Sequence, residues 1–295
     1  MPRAALLSIH ARVEGIEPAT WEDPSLVQVW GPRYNVYVVA ASDLAVFTLG
    51  RLPDGGKTRR VAEDLAERLH AFLGGARMRY DEAGQAIGVH GNSLRYAALT
   101  GTLVIRWEGA RRPVVWTVPP PEIDPIEATL ELARRYLHVF GPVTPEGFAT
   151  WAGVGARKAV EVFDDLGSAL IAVRTPSGDA WILGGDETTV REHPAPAAPA
   201  RLLPSGDAYT LGITSEDREL LVPDANRRRE LWTPRVWPGA LLVTGRVVGT
   251  WRRRQERVTI QTWQRLSRTS RDAVLAEAES LPLPDTAGRI VVHWD

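Results

Sequence analysis

Helical stretches with an apolar stripe alternate along this chain with short stretches in which apolar and polar residues take turns. Residues 58–73, "TRRVAEDLAERLHAFL", predict an amphipathic helix that ends at Gly74. Its predicted apolar stripe consists of Val61, Leu65, Leu69 and Phe72. "YDEAGQAIG", with Asp81 as the expected N-cap, and "GNSLRYAALTG" predict two further helices. "TLVIRWEGARRPVVWTV" then predicts a hairpin that turns at Glu108-Gly109.

The same order of elements recurs further along the chain. "DPIEATLELARRYLHVFG", "TPEGFATWAGV" with Thr144 as N-cap, and "ARKAVEVFDDLG" predict three helices, and "ALIAVRTPSGDAWIL" predicts a hairpin. The first fifty residues predict a helix in "RAALLSIHARVEG", a second near "PATWEDPSLVQVW" and a strand in "NVYVVAA". Three helices followed by a β-hairpin is the order of a winged helix. Its recurrence at intervals of about sixty residues predicts tandem modules.

A proline-rich stretch, "REHPAPAAPAR", predicts a linker because each proline removes a backbone donor. Beyond it, "RLLPSGDAYTLG", "GALLVTGRVVGTW", "ERVTIQTW" and "GRIVVHW" predict strands, and "TSRDAVLAEAESL" predicts one helix. We therefore expect an α+β protein of four parts. They are a partial first winged helix at 1–55, a second at 56–121, a third at 122–190, and a β-rich unit with one helix at 200–295.

Positive charge is concentrated in the last part of the chain. The stretch from Arg227 to Arg271 contains twelve arginines against Glu230 and Glu256, a formal charge of +10, which leaves −11 on the rest of a chain whose total is −1. This asymmetry indicates a polyanionic partner, because the planar guanidinium suits phosphate, although a solvated arginine-rich face fits the composition as well. The candidate DNA-binding residues in this stretch are Arg246, Trp251, Arg252, Arg253, Arg254 and Arg257. The ring of Trp251 is predicted either to stack on a base or to belong to the core of the last sheet.

Composition excludes several classes of site. The chain has no cysteine, and its six histidines show no paired metal-ligand spacing, so we expect no metal. Neither a dinucleotide-binding loop nor a Walker loop nor a nucleophile elbow is present, so we expect no cofactor. No apolar run is long enough to span a membrane, and the N-terminus lacks the pattern of a signal peptide. The expected protein is a cytoplasmic monomer without a membrane partner.

Three ordered blocks point to a known family. "ARRYLHVFGPVTPEGFATWAGV", "ARLLPSGDAYTLG" and "WPGALLVTGRVVGTWRRR" resemble hallmark segments of the AlkZ and YcaQ-like winged-helix superfamily of bacterial DNA glycosylases. The resemblance implies three tandem winged helices and a β-rich C-terminal unit that are C-shaped around a cleft for duplex DNA. It also implies hydrolysis of the N-glycosidic bond of alkylated purines, including bulky adducts and, in some members, interstrand crosslinks. Damaged duplex DNA is thus the expected partner.

The sequence departs from this family in places that bear on chemistry. The family's catalytic Gln-x-Gln or Gln-x-Asp motif would align before Met1 and is absent here. Arg33 matches the arginine of the family's Arg-Gly-Thr-Leu-His segment and is a further candidate for DNA contact, but Tyr34 stands at the glycine position. His10 is a candidate to replace the catalytic group, since imidazole can accept a proton from water, and the alternative for it is a structural role. A non-catalytic winged-helix DNA-binding protein or transcription regulator is the alternative function.

Overall fold

The computed structural model describes residues 2–108, 111–192, 194–212, 215–283 and 289–295 as a mixture of helices and sheets. Contacts divide the chain into two compact units, Asp23–Arg191 and a second that combines Pro2–Glu22 with Glu192–Asp295. In the first unit the helices are α2 (Leu44–Thr48), α3 (Gly56–Leu73), α4 (Tyr80–Ala86), α5 (Leu94–Ala97), α6 (Pro125–Phe140), α7 (Pro145–Ala152), α8 (Ala156–Leu166) and α9 (Glu187–Glu192, which ends just beyond it). Its strands are β1 (Leu26–Trp30), β2 (Val36–Ala40), β3 (Met78–Arg79), β4 (Leu103–Arg106), β5 (Val114–Thr117), β6 (Leu170–Thr175) and β7 (Gly178–Leu183).

The second unit contains both ends of the described chain. Its helices are α1 (Pro2–His10), α10 (Ala208–Leu211), α11 (Ser215–Leu221), α12 (Ala225–Leu231) and α13 (Arg268–Glu279). Its strands are β8 (Ala200–Leu203), β9 (Gly239–Val243), β10 (Arg246–Arg254), β11 (Arg257–Thr262) and β12 (Val291–Trp294).

One order of elements occurs twice in the first unit. From α3 to β5 the chain forms a helix, the short β3, two helices and the antiparallel pair β4–β5, and β5 lies between β3 and β4 in the sheet. From α6 to β7 it forms a helix, an isolated bridge from Val143 to Trp181, two helices and the antiparallel pair β6–β7. Both predicted hairpins are therefore present, while Gly109 of the first predicted turn lies outside the described residues.

Local sequence signals account for most of the helix ends. The Asp124 carboxylate accepts the Ile126 N–H at the start of α6, and the Thr144 hydroxyl accepts the Gly147 N–H at the start of α7. Helix α3 ends at Gly74, whose φ of 52° lies in the left-handed region that glycine tolerates. The prediction of Asp81 as an N-cap is wrong, because Arg79 occupies the N-cap position and Asp81 lies in the first turn of α4.

The buried face of α3 differs from the predicted stripe. Leu65 and Leu69 are buried, as predicted, but Val61 and Phe72 are 38% and 47% exposed. Two alanines and Leu73 complete the buried face instead. The buried residues of α3 are Ala62, Leu65, Ala66, Leu69 and Leu73.

The predicted first module is divided between the two units. Strands β1 and β2 form a hairpin whose Val29 and Val39 pack on Val104 of β4, whereas α1 packs within the second unit. The second helix predicted near "PATWEDPSLVQVW" is a single 3₁₀ turn, Thr20–Glu22, followed by β1. The observed grouping thus differs from a boundary at 1–55, because α1 finds its buried partners near the other end of the chain.

A five-stranded sheet organises the second unit. The strand order is β12-β11-β10-β9-β8, with β12 parallel to β11 and the other pairs antiparallel. One face is covered by α13, which contributes Val274 and Ala278 to the core of the sheet. The opposite face is covered over β8 and β9 by the segment that contains α10, α11 and α12. Among the described residues, no helix is long and apolar enough to cross a membrane.

A glycine allows β10 and β11 to approach. A Cβ on Gly249 would lie 2.2 Å from the carbonyl oxygen of Gln261, which is a backbone atom that cannot turn aside. The register of β10 against β9 shifts between Val247 and Gly249, which marks a β-bulge. The extra residue in the bulge interrupts the alternation, so the side chains of β10 that face the core follow a different parity before and after it. The face on which the arginines at the end of the strand lie must therefore be read from the structure.

Candidate nucleic-acid interface

Side chains from three strands share the uncovered part of the sheet in the second unit. Directly opposite residues in a sheet point to the same face, and Arg254 pairs with Arg257 while Arg252 pairs with Thr259. Strand β12 adds His293 opposite Thr259. The face defined by Arg252, Arg254, Arg257, Thr259 and His293 is called the arginine face below.

The arginine face carries charges that the protein does not neutralise. In the described part of the chain, none of Arg252, Arg254 and Arg257 forms an ion pair with a carboxylate. Like charges placed directly opposite each other, as in the Arg254–Arg257 pair, destabilise a sheet. An anion bound across them would remove that repulsion. The positions of these three arginines therefore favour a polyanion over a merely solvated surface.

Two of the arginines are positioned by neighbouring groups. Arg252 Nη2 donates to the carbonyl oxygen of Val236 at 3.1 Å, and Arg257 Nη2 lies 3.0 Å from Nδ1 of His293. Each guanidinium has five N–H donors, so these contacts leave others for a ligand. Neighbouring groups thus position two of the three guanidinium groups of the arginine face.

Three of the predicted contacts lie elsewhere. Trp251 is 4% exposed in the core, and its Nε1 donates to the Leu203 carbonyl oxygen at 2.8 Å, so of the two predictions for it the core position is confirmed and base stacking is wrong. Arg253 is opposite the buried Val258 and therefore points to the α13 side of the sheet, where its Nε donates to the Gln255 carbonyl oxygen at 2.6 Å. Arg246 is exposed at the other end of β10, about 20 Å from Arg252 along the strand at the usual rise per residue.

Arg33, in the first unit, occupies a strained turn between β1 and β2. Arg33 and Tyr34 have φ values of 54° and 58°, a conformation that side-chain-bearing residues rarely adopt. The turn is closed by the Gly31 N–H, which donates to the Asn35 carbonyl oxygen at 2.9 Å. Arg33 is exposed at this turn. Strain at non-glycine residues is frequent where the backbone presents a functional side chain.

A buried arginine supports this turn. Arg51 donates from Nε to the Ala152 carbonyl oxygen at 2.8 Å and from Nη1 to the Trp30 carbonyl oxygen at 3.1 Å. Its guanidinium carbon lies 4.9 Å from the ring centre of Tyr34. Burial lowers the pKa of Arg51 to about 10, so it remains charged at neutral pH.

A buried carboxylate attaches α1 to the second unit. Asp207 accepts the Ser8 hydroxyl at 2.6 Å and both terminal nitrogens of Arg12 at 2.9 Å and 2.7 Å. It also accepts the Tyr209 N–H at 2.8 Å as the N-cap of α10. The hydrogen bonds that Arg12 donates to Asp207 raise the pKa of Arg12 above its ordinary value. Asp207 therefore joins two segments that are almost two hundred residues apart in the chain.

The candidate His10 lines a small pocket in the same unit. The pocket has a volume of about 370 Å³, and its polar lining includes His10, Arg201, Glu277 and Ser280. His10 Nε2 lies 3.1 Å from the Ser280 hydroxyl. Both carboxylate oxygens of Glu277 are already bonded, one to Arg201 and one to the Leu202 N–H, each at 3.0 Å. This carboxylate thus holds the edge strand β8 in place.

Comparisons with known proteins agree with one another. A family model described as "DNA glycosylase AlkZ-like" matches residues 1–282. The chain belongs to the AlkZ-like DNA glycosylase family. It is 23% identical over 313 residues to a protein of Streptomyces sahachiroi named interstrand DNA cross-link repair glycosylase, covering 92% of this chain and 82% of that protein. The structure of Streptomyces sahachiroi DNA glycosylase AlkZ has the same fold, with a TM-score of 0.79 and 20% identity over 99% of this chain and 89% of that one.

Membership of the AlkZ-like family confirms the resemblance seen in the sequence. Tyr34, which stands at the glycine position of the family pattern, adopts the left-handed conformation that glycine favours. In this AlkZ-like chain the Tyr34 ring is held by Arg51 and by edge-on packing against Tyr96, whose ring centre lies 5.2 Å away.

Sequence reasoning missed several residues of these surfaces. His293 joins the arginine face only through the parallel pairing of β12 with β11, and Thr259 joins it through the antiparallel pairing of β11 with β10. The Arg12–Asp207 pair joins distant segments. Asp207 had a signal in its block, since it follows Ser205-Gly206 and precedes a short helix as an N-cap would. Within the described ranges, no group of three His, Cys, Asp or Glu is placed to hold a metal ion.

The pocket around His10 gives a prediction for pH dependence. Burial, the largest cause, lowers the pKa of His10 from its ordinary value of 6.5, with a smaller opposing effect of Glu277. The folded state then favours neutral His10, so its contribution to stability is complete above pH 6.5 and is lost as the pH falls towards the lowered pKa. We expect His10→Gln to flatten the fall in unfolding free energy below pH 6.5, measured by urea titrations at several pH values. Parallel pH curves for the two proteins would contradict it.

Proposed function

We propose that this member of the family binds damaged duplex DNA and hydrolyses the N-glycosidic bond of alkylated purines. The observation that carries the proposal is the arginine face, where three arginines without ion-pair partners in the described structure are arranged along a hairpin. Phosphate contacts of this kind position a protein on the duplex without reading its sequence. That suits an enzyme whose target is a lesion.

The repeated order of elements supports DNA binding by the first unit. We propose that α3 to β5 and α6 to β7 are winged helices. In each, the helix that follows a short second helix, α5 or α8, is the proposed recognition helix. In this proposal the hairpin β1–β2 is the wing of a further module, and Arg33 at its tip contacts the backbone of DNA.

The chemistry requires little covalent participation from the protein. An N7-alkylated guanine is positively charged and leaves readily, so the enzyme must mainly orient a water and stabilise positive charge on the sugar. His10 is the candidate that the chain offers for orienting water, because its neutral imidazole can accept a proton. His10→Ala separates this role from a structural one, since a catalytic loss would occur with duplex affinity retained.

The test is alkali-labile strand breakage of a duplex that carries 7-methylguanine. The chain is compared with His10→Ala and with a version that carries residues encoded in frame before Met1, where the family resemblance places the Gln motif. Cleavage by any form supports the proposal, and cleavage by the longer form alone assigns the catalytic group to the added residues. Duplex binding without cleavage by any form would reject glycosylase activity on methyl adducts and favour a non-catalytic DNA-binding protein.

A further inference from the structure

A second pocket lies in the second unit where β11 ends and α13 begins. Its volume is about 370 Å³, within the range of small-molecule sites, roughly 300–1,000 Å³. The lining residues are Thr262, Trp263, Gln264, Arg265, Leu266, Arg271 and Trp294. They include two arginines and two tryptophans but no carboxylate. The pocket is therefore cationic, and its aromatic wall is Trp294, because the Trp263 indole packs on the other face of the sheet and donates from Nε1 to Glu230 at 2.7 Å.

The two arginines of this pocket are available to a ligand. In the described part of the chain, neither Arg265 nor Arg271 has a side-chain hydrogen bond or an ion pair, and both are exposed. The guanidinium carbon of Arg271 lies 4.4 Å from the ring centre of Trp294. This stack holds Arg271 in place while leaving its N–H donors unused.

The chemistry of the lining selects among ligands. A cation is disfavoured by two arginines, and a lipid chain is disfavoured because charged groups line the pocket. A ligand that combines a phosphate with a flat ring would use both kinds of wall, since guanidinium binds phosphate and aromatic side chains stack on bases. We infer that this pocket binds one unpaired nucleotide of a DNA strand, an inference that rests on the proposed function.

Arg271 and Trp294, the stacked pair of this pocket, lie on the other side of the sheet from the arginine face. Trp294 is paired with Ile260 and points to the side covered by α13, which also carries Arg271. Arg252 and Arg254 point to the opposite side. Duplex bound on the arginine face therefore leaves the Arg271–Trp294 pair uncovered, and each surface can be tested by its own substitutions.

The experiment measures binding of an eight-residue oligothymidylate with one internal 2-aminopurine, whose fluorescence falls when the base stacks. Loss of both arginines, in Arg265→Ala with Arg271→Ala, is expected to weaken binding on the order of tenfold, the value of one stacked and phosphate-bound nucleotide. Trp294→Leu is expected to abolish the quenching, and Trp294→Phe to retain it. The matched control is Arg289→Ala, an exposed arginine that is already paired with Glu279 at 2.8 Å.

Competition separates a nucleotide site from a simple anion site. Thymidine 5′-monophosphate is expected to displace the oligonucleotide at lower concentration than inorganic phosphate does. Equal competition by the two, or unchanged binding by the double arginine variant, would overturn the inference. Duplex binding is measured on the same proteins. If the pocket inference fails while the unaltered protein still binds duplex DNA, the proposed function is unaffected. Absence of duplex binding in the unaltered protein would instead contradict the proposed function.

Discussion

Replacing Arg252 and Arg254 together by alanine is expected to weaken duplex binding about thirtyfold at about 0.15 M salt. Each phosphate contact adds about 0.9 to the slope of log affinity against log salt. One phosphate contact therefore raises the affinity on the order of fivefold at about 0.15 M salt relative to about 1 M salt. Two contacts raise it by about the square of that factor. The slope itself should fall by about 1.8, which a titration of affinity against salt concentration measures directly.

Two controls separate charge from folding in that experiment. Arg252→Lys with Arg254→Lys keeps both charges and should retain the slope, although it loses the planar donor geometry. Arg289→Ala removes one exposed arginine whose charge Glu279 already neutralises, so it should leave the slope nearly unchanged. A salt slope in the double alanine variant equal to that of the unaltered protein would show that duplex DNA does not lie on the arginine face.

Replacing Arg12 by alanine is expected to lower the unfolding free energy of the second unit by about 3 kcal/mol. The Asp207 side chain is fully buried, and Arg12 supplies two of its hydrogen bonds and its only ion pair among the described residues. Breaking one side of a buried pair costs about 3–5 kcal/mol because the remaining charge stays desolvated. The lower end applies, since the Arg12 side chain is 46% exposed. Amide hydrogen exchange in α1 measures this loss of stability in the helix that the Arg12–Asp207 pair attaches.

A double-mutant cycle identifies the cause of that loss. Asp207→Ala removes the buried charge together with the N-cap of α10, and Arg12→Ala should cost little more once Asp207 is absent. Asp207→Asn keeps the cap geometry while removing the charge. Additive effects of the two alanine substitutions would show that the pair does not attach α1 to the sheet.

Consistency between local signals and packing explains why much of the fold follows from the sequence. The caps Asp124 and Thr144 form as predicted, and the hairpins β4–β5 and β6–β7 pair as the alternation indicates. The buried positions of α3 were predicted less well. Val61 and Phe72 are exposed because periodicity shows which residues share a side, whereas the neighbours decide which side is covered.

The candidate surfaces divide in the same way. The sequence by itself determined the order of helices and hairpins, the concentration of arginine between Arg227 and Arg271, and the blocks by which the family was identified. The tertiary structure decided that Trp251 is buried, that His293 joins the arginine face, and that Asp207 binds α1. These outcomes depend on contacts between residues far apart in the chain. Local periodicity does not encode such contacts, because the free energy that selects them arises only when the distant segments pack together.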